Sequence, residues 1–332
     1  MSVGVVVIGR NEGERLRRCL ESVLGVAGRV VYVDSGSTDG SVELARRLGA
    51  EVVDLDMSMP FTAARARNAG FQRLSERLPD LAYVQFVDGD CELAAGWLEK
   101  AADWLDAHPG VAMVCGRLRE RHPERTIYNL LCDIEWDVPA GEAKACGGVA
   151  MVRADAFENA RGYRPDLIAG EEPELCVRLR GQGWKIWRLA NEMALHDAAM
   201  TRFGQWWKRS VRAGYAFAGG VFLHGAAPER HRVRESRSAL VWGIAIPMSI
   251  LTAVALWGSW GFLPLAIYPL QIVRLCLRGK RSPRENCVRA LFIMLGKFPE
   301  AVGQIKFRYH RIVGEKAHLI EYKQPQEQGR NR

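Results

Sequence analysis

The heptapeptide QFVDGDC, residues 85–91, ends an apolar, strand-like run in two aspartates separated by a single glycine. Like charges placed so close repel one another, but a divalent cation between Asp88 and Asp90 would let both stay ionised. Mg²⁺ and Mn²⁺ favour oxygen ligands and usually keep substrate phosphates in their coordination shell. The pair therefore suits a metal–diphosphate complex, although a solvated turn is an alternative explanation of the same residues.

Three apolar runs of the same kind precede this stretch, and helical patterns separate them. VGVVVIG (3–9), VVYVD (30–34) and EVVDL (51–55) are continuous and rich in β-branched residues, which is typical of strands buried on both faces. Asn11, with Glu14 three residues on, resembles a capping box at the start of the first helix. Alternating strands and helices predict a parallel sheet covered by helices. Such sheets bind ligands beyond the carboxyl ends of their strands.

Four stretches, in this order, resemble motifs of the family 2 glycosyltransferases, enzymes with the GT-A nucleotide-sugar-binding fold: VVVIGRNEGERLRRCLESV, VYVDSGSTDGS, ARARNAGF and QFVDGDC. Downstream, GEEPELCVRLRGQGWKIW (170–187) resembles the family's E-D-x-x-L-x-x-R-x-x-x-x-G-W segment. The resemblance spans roughly residues 3–200. It implies an α/β fold of the GT-A type, with a mostly parallel central sheet flanked by helices, in a catalytic domain at residues 1–230.

The resemblance also implies a nucleotide-diphosphate sugar as the donor, UDP-linked by family habit. Asp34, at the end of the second strand, should accept a hydrogen bond from the nucleotide base. Arg67 should lie beside the base or the diphosphate, and Asp88 should contact the ribose or the metal. We expect Arg10 and Glu12, in the loop after the first strand, to bind substrate as well.

The implied cofactor is Mn²⁺ or Mg²⁺, with Asp90 as a direct ligand and Asp88 beside it. Enzymes of this fold often complete the metal shell with a histidine near the position of His196. Imidazole is an acceptable ligand for Mn²⁺. A lone histidine can equally be a packing or hydrogen-bonding residue, so the role of His196 stays open at this point.

Two adjacent acids are candidates for the catalytic base. Glu172 occupies the family's base position and Glu171 precedes it, but the chain has E-E where the family usually has E-D. Glutamate can take the same proton, although its extra methylene requires a shifted backbone. Which acid is the base stays open, and Glu172 is favoured. The alternative is a pair of acids that begins a helix and is stabilised by the helix dipole.

The C-terminal part has a different character, because Ser238 to Val273 contains no charged residue and both flanks are basic. One membrane crossing takes about 20 residues, and the positive-inside rule places both flanks on the cytoplasmic side. We predict a membrane-associated helical region at 231–320, with a hairpin at about 238–277 and an amphipathic helix at about 287–310, before a polar tail at 321–332. The alternative is a buried helical hairpin in a soluble protein.

The net charge of +8 suits an anionic membrane or a phosphorylated substrate, and no nucleic-acid-binding motif accompanies it. The eight cysteines form no CxxC pair, so reduced, buried thiols are expected. The predicted enzyme is an inverting hexosyltransferase at the cytoplasmic face of the inner membrane, with two C-terminal passes. It would act on a hydroxyl or phosphate of a lipid-linked or saccharide acceptor, in cell-envelope or exopolysaccharide synthesis. The alternatives are a nucleotidyltransferase of related fold and a non-catalytic membrane scaffold.

Overall fold

A computed structural model describes residues 2–314 of the 332-residue chain. Within that range the strands are β1 (Ser2–Gly9), β2 (Arg29–Asp34), β3 (Glu51–Asp54), β4 (Leu81–Asp88), β5 (Cys91–Leu93), β6 (Val111–Glu120), β7 (Gly141–Glu142), β8 (Ala150–Arg153) and β9 (Lys185–His196). The α-helices are α1 (Glu14–Val23), α2 (Ser41–Leu48), α3 (Ala63–Arg77), α4 (Trp97–Ala107), α5 (Ile127–Trp136), α6 (Ala154–Asn159), α7 (Glu171–Gly181), α8 (Phe203–His224), α9 (Val233–Leu240), α10 (Ile246–Trp257), α11 (Ile267–Leu277) and α12 (Pro283–Val313). A π-helical turn, Val241–Ala245, joins α9 to α10, and a 3₁₀ segment, Gly258–Ala266, joins α10 to α11.

The described chain divides into two compact units. Residues 2–122 and 135–199 form the first unit, and residues 123–134 and 200–314 form the second. The first unit contains the sheet and every predicted site residue, whereas the second contains α8 to α12. The sequence-based division into a catalytic domain at 1–230 and a helical region at 231–320 stays a prediction. The predicted tail at 321–332 lies outside the described residues.

The first unit is built on one sheet with strand order β3-β2-β1-β4-β8-β6-β9-β5, and β7 pairs with β9. β1 runs parallel to β2 and β4, and β2 runs parallel to β3, as the apolar runs predict. β8 enters antiparallel to β4 and β6, and β5 is antiparallel to β9. The predicted α/β fold of the GT-A type is confirmed, with a sheet that is parallel up to β4 and mixed beyond it.

Helix α3 is fixed against the sheet by a close approach at Gly70. A Cβ at this position would lie 2.3 Å from Cγ1 of Val6, a residue of β1 that is fully buried. A larger residue would force the helix away, because protein interiors leave no such space. Thr62 begins the helix by accepting a hydrogen bond from the amide of Arg65. The close approach of Gly70 to Val6 and the cap at Thr62 together set the position of Arg67, one turn before Gly70.

The predicted capping box of α1 is wrong. The helix begins at Glu14 after Gly13, and no side chain among residues 2–314 caps it. Asn11 takes a φ of 56°, a left-handed conformation that asparagine tolerates. Its Oδ1 accepts a hydrogen bond from the amide of Thr38 at 2.7 Å, and its own amide donates to Oγ of Ser37 at 2.9 Å. Asn11 therefore ties the loop after β1 to the loop after β2.

In the second unit the chain reverses direction between α10 and α11. The hydroxyl of Tyr268 donates a hydrogen bond to the carbonyl of Trp242, 26 residues earlier, at 2.6 Å. A straight helix would hold residues so separated about 39 Å apart, so the return arm runs back beside the outgoing one. Within residues 2–314, Val233–Leu277 is the one stretch long and apolar enough to cross a membrane, and an 18-residue window within it has a mean hydropathy of 2.1.

Helix α12 covers the predicted amphipathic segment at about 287–310. Ser282 and Glu285 begin it with a capping box, in which each side chain accepts from the other's amide. Cys287 forms a disulfide with Cys276, because the turn after α11 brings their Cα atoms to 4.9 Å. This corrects the expectation that all the cysteines are reduced; the other six are buried thiols.

Candidate active site

The parallel strands bring three polar loops to one edge of the sheet. Gly9, at the end of β1, lies in register with Asp34 of β2. Ile8 lies in register with Asp88 of β4. The loops after β1, β2 and β4 therefore begin side by side, as the sequence predicts for carboxyl ends of adjacent parallel strands.

Asp34 holds the loop after β2 in place. Its Oδ2 accepts hydrogen bonds from the amides of Gly36 and Ser37 at 2.9 and 2.8 Å, and its Oδ1 accepts from the Tyr32 hydroxyl at 2.9 Å. Burial and the neighbouring carboxylate raise the pKa of Tyr32, so this hydroxyl keeps its proton and stays a donor. Asp34 is itself buried. It lies where the sequence predicts a base-binding residue, and it already orders the loop there.

Arg67 joins the loop that carries Asp88 and Asp90, here called the DxD loop, to the acid pair Glu171 and Glu172. Its Nη2 lies 2.7 Å from Oδ1 of Asp88, and its Nη1 lies 2.7 Å from Oε1 of Glu171. Although burial alone would lower it, the pKa of Arg67 is raised by Asp88 and Glu171. The backbone of Gly148 covers this bridge so closely that a Cβ would lie 2.6 Å from Nη2 of Arg67. Arg67 is 3% exposed, so its position is set by these partners rather than by solvent.

Glu172 is more deeply buried than Glu171 and faces different groups. Its Oε1 accepts from the amide of Cys146 at 2.6 Å and from the thiol of Cys176 at 3.0 Å. Its Oε2 is buried and has no hydrogen-bond partner among residues 2–314. Burial raises the pKa of Glu172, opposed by the Cys176 thiol and the amides of Cys146 and Gly147. A carboxylate with one oxygen held and the other unpartnered is suited to taking a proton.

Asp90, in the turn just before β5, lies beside His196, the last residue of β9. Oδ2 of Asp90 is 3.2 Å from Nε2 of His196. Cys91 and these two residues each offer one donor atom, and the three atoms lie within 4.8 Å of one another. Nδ1 of His196 faces Glu120 at 4.0 Å. A buried carboxylate beside an imidazole is a donor set that fits a divalent transition metal.

The remaining predicted residues lie at the same sheet edge but contact different neighbours. Asp88 is not in the group around His196; its carboxylate pairs with Arg67 and its side chain is 34% exposed. Glu12 is buried and forms an ion pair with Arg15 at 2.8 Å. Arg10 is exposed just after β1. The structure thus forms two clusters, Arg67 with Asp88 and Glu171, and Asp90 with His196.

Several residues around the two clusters were not found from the sequence. Cys176 follows Glu172 by four residues on one helix, a spacing that predicts a contact. Cys91 directly follows the DxD triplet. Tyr163 lies under Arg67, with the guanidinium carbon 5.6 Å from the ring centroid. Glu120 accepts from the amides of His122 and Ala198 and has no local signal, because its partners depend on strand pairing.

Comparisons with known proteins agree with this architecture. Residues 4–159 match the family model described as Glycosyl transferase family 2. Glycosyltransferase AglE of Haloferax volcanii is 25% identical over 307 residues, which cover 88% of this chain and 90% of AglE. An uncharacterized glycosyltransferase of Rickettsia conorii is 41% identical over 51 residues, 15% of this chain and 18% of that protein.

Solved structures show a similar fold. The mannosyltransferase PcManGT from Pyrobaculum calidifontis, solved in complex with GDP-Man and Mn²⁺, has a TM-score of 0.63 at 21% identity, over 92% of this chain and 87% of that one. S. aureus TarS 1-349 has a TM-score of 0.51 at 14% identity, over 95% and 92% of the two chains.

Proposed function

The chain is a family 2 glycosyltransferase, and from this premise we propose that it moves a hexose from a nucleotide-diphosphate sugar to an acceptor with inversion at the anomeric carbon. The observation that carries the proposal is the bridge from Asp88 through Arg67 to Glu171. It joins the loop assigned to the donor to the acid pair assigned to the acceptor, so both substrates meet at one place.

We assign the donor to the three loops at the sheet edge. Asp34 receives the nucleotide base, because it already orders the loop after β2. Asp88, partly exposed and held by Arg67, contacts the ribose. Arg10 and Glu12 supply the remaining substrate contacts from the loop after β1. A positive guanidinium beside the diphosphate offsets part of its charge.

Asp90 and His196 are the proposed cation ligands, with Asp88 on the same loop. Their carboxylate and imidazole donors suit Mn²⁺, and carboxylates suit Mg²⁺. A bound cation would offset the negative charge that develops on the departing diphosphate. Burial of Asp90, at 4% exposure, supports this assignment, because a buried carboxylate needs a compensating charge.

Glu172 is the proposed catalytic base. Its Oε2 would take the proton of the acceptor hydroxyl while that oxygen attacks the anomeric carbon and the diphosphate leaves. The buried, unpartnered Oε2 and the raised pKa support this choice. Glu171 is the weaker candidate, since its Oε1 is committed to Arg67. We assign Glu171 to holding Arg67 in position.

The donor is proposed to be UDP-linked, as the sequence predicts. The GDP-Man in the PcManGT complex makes GDP-mannose the first donor to compare with it. Purified full-length protein should be incubated with a panel of UDP- and GDP-linked sugars, with and without Mn²⁺ or Mg²⁺, and released nucleoside diphosphate measured. Asp90→Asn should abolish turnover, whereas Asp103→Asn on an exposed face of α4 should not. Turnover without a divalent cation would contradict the roles of Asp90 and His196.

We propose a membrane-bound, lipid-linked acceptor, because the second unit carries an apolar hairpin. The outgoing arm, Ser238 to Trp257, holds 20 residues, or about 30 Å as a helix, which equals the hydrocarbon core of a bilayer. Its tip exposes Trp257 and Trp260, residues that favour membrane interfaces. Arg237 and Arg274 flank the uncharged stretch, so both ends belong on the cytoplasmic face.

The acceptor is tested with lipid extracts against soluble saccharides, using the donor found in the panel. We expect the labelled sugar to appear in the organic phase. Transfer to soluble saccharides alone would refute the lipid-linked acceptor and leave the transferase assignment intact. A protein that kept its cellular role after both Asp90→Asn and Glu172→Gln would be a scaffold, and production of pyrophosphate from nucleoside triphosphates would indicate a nucleotidyltransferase.

A further inference from the structure

A thiol lies beside the two residues assigned to the cation. Cys91, the first residue of β5, is directly opposite His196, the last residue of β9, in an antiparallel pair. Side chains at such positions point to the same face of a sheet, with Cβ atoms about 4.5–5.5 Å apart. Sγ of Cys91 lies 3.9 Å from Oδ1 of Asp90, whose Oδ2 is 3.2 Å from Nε2 of His196.

We propose that Cys91 is a third protein ligand at this cation site, and that its sulfur makes the site select softer transition metals over Mg²⁺. The inference rests on the proposed function, since it takes Asp90 and His196 as cation ligands. Oxygen, nitrogen and sulfur donors together suit Co²⁺ or Zn²⁺. Mg²⁺ demands octahedral oxygen ligands and gives up its water reluctantly.

The spacing of the donor atoms is compatible with coordination. Bond lengths of about 2.3 Å to sulfur and about 2.0–2.2 Å to nitrogen and oxygen put tetrahedral donors about 3.4–3.6 Å apart. The three donor atoms already lie within 4.8 Å of one another, so side-chain shifts of about 1 Å bring them into range. On binding, the metal–sulfur bond replaces the S–H bond and the proton goes to solvent. No electron is transferred.

A buried thiol is usually only a packing residue, and Cys91 is 1% exposed. Within residues 2–314, however, no other cysteine groups with histidine or carboxylate donors in a set of three. Cys132 is buried to the same 1% and provides a matched control. Comparing Cys91→Ser with Cys132→Ser therefore separates the loss of metal coordination from the general effect of losing a buried sulfur.

The test uses the full-length protein, freed of metal and without donor, titrated with Co²⁺. A thiolate ligand gives a sulfur-to-cobalt charge-transfer band in the near ultraviolet. We expect this band in the parent protein and in Cys132→Ser, and its loss in Cys91→Ser and in His196→Gln. We also expect Co²⁺ to bind Cys91→Ser at least about tenfold more weakly. If Cys91→Ser does not fold, Cys91→Ala replaces it, with melting in a chelator as the check on folding.

The outcomes separate the two proposals. No band in the parent, or a band that survives in Cys91→Ser, overturns the role of Cys91. If Co²⁺ affinity is unchanged in Cys91→Ser but lost in Asp90→Asn, the cation site stands and the thiol is not a ligand. If Asp90→Asn and His196→Gln both bind Co²⁺ as the parent does, the cation site of the proposed function fails as well. Transferase assays test the metal selectivity separately. Mg²⁺ should support a higher turnover in Cys91→Ser than in the parent protein, and equal turnover would contradict the inference.

Discussion

Cys176 donates its thiol hydrogen to Glu172, with Sγ 3.0 Å from Oε1, one turn along α7. Because the amide of Cys146 donates to the same oxygen, Oε1 has two partners and Oε2 has none among residues 2–314. The carboxylate is therefore fixed in orientation by its own helix and by the backbone before Gly147. Four predictions concern this carboxylate and the arginine bridge beside it.

Glu172→Gln and Glu171→Gln should have different kinetic effects. A base contributes about 10²- to 10⁴-fold to the rate, so Glu172→Gln should lower kcat by that factor with little change in the KM for the donor. Glu171→Gln removes a charge that holds Arg67, so it should mainly raise the donor KM. Steady-state kinetics on both variants decides which of the two glutamates is the base. A larger kcat loss in Glu171→Gln would reverse the assignment.

The pH profile should report Glu172. Burial raises its pKa above the ordinary glutamate value of 4.5, so the acidic limb of kcat/KM should have its midpoint above pH 4.5. The raised pKa also means that the folded state favours the protonated acid. This stabilisation is complete below about pH 4.5 and is lost as the pH rises through the folded-state pKa.

Two measurements check this prediction. The acidic limb is read from kcat/KM between about pH 4 and pH 8, and the free energy of unfolding is read from urea titrations over the same range. Glu172→Gln, which cannot ionise, should lose this part of the pH dependence of stability. An acidic limb at or below pH 4.5 would mean that another group controls the rate.

Cys176→Ala should move the acidic limb of the rate profile to higher pH. The thiol lowers the pKa of Glu172 by donating a hydrogen bond to its charged form, so removing this donor should raise that pKa. Cys176→Ser restores a donor and should return the limb toward the parent value. Equal profiles for the alanine variant and the parent would show that the thiol only fills space.

Arg67→Met should destabilise the protein strongly. It leaves the carboxylates of Asp88 and Glu171 without their shared cation, and breaking a buried ion pair costs about 3–5 kcal/mol. Because Asp88 is partly exposed, we expect about 3 kcal/mol, measured by urea unfolding. Arg67→Lys should recover little, since one ammonium cannot replace the two-pronged guanidinium.

The matched control for Arg67 is Arg73→Met on the same helix. Arg73 has a side chain 39% exposed and pairs with Glu51 at 3.7 Å. Surface ion pairs contribute about 0–1 kcal/mol, so this variant should unfold almost as the parent does. Similar losses of unfolding free energy in Arg67→Met and Arg73→Met would contradict the prediction that the bridge from Asp88 through Arg67 to Glu171 stabilises the fold.

The local sequence is sufficient to predict the first four strands and the residues of the family motifs. Continuous apolar runs predict β1 to β4, because strands buried on both faces show no polar alternation. Asp88 and Asp90 are predicted from their place after a strand, whereas Asp34 and Arg67 are predicted from the resemblance to the family motifs. The prediction that Asn11 caps α1 is wrong, because its partner, Thr38, belongs to another loop.

What the sequence by itself determined was the GT-A type fold and the residues that could do its chemistry. The tertiary structure decided which of them meet: Arg67 with Asp88 and Glu171, and Cys91 with His196 across β5 and β9. These pairings depend on strand register and helix packing between residues up to 105 positions apart, such as Cys91 and His196. The energies that fix them come from burial of the whole sheet, so no local pattern encodes them.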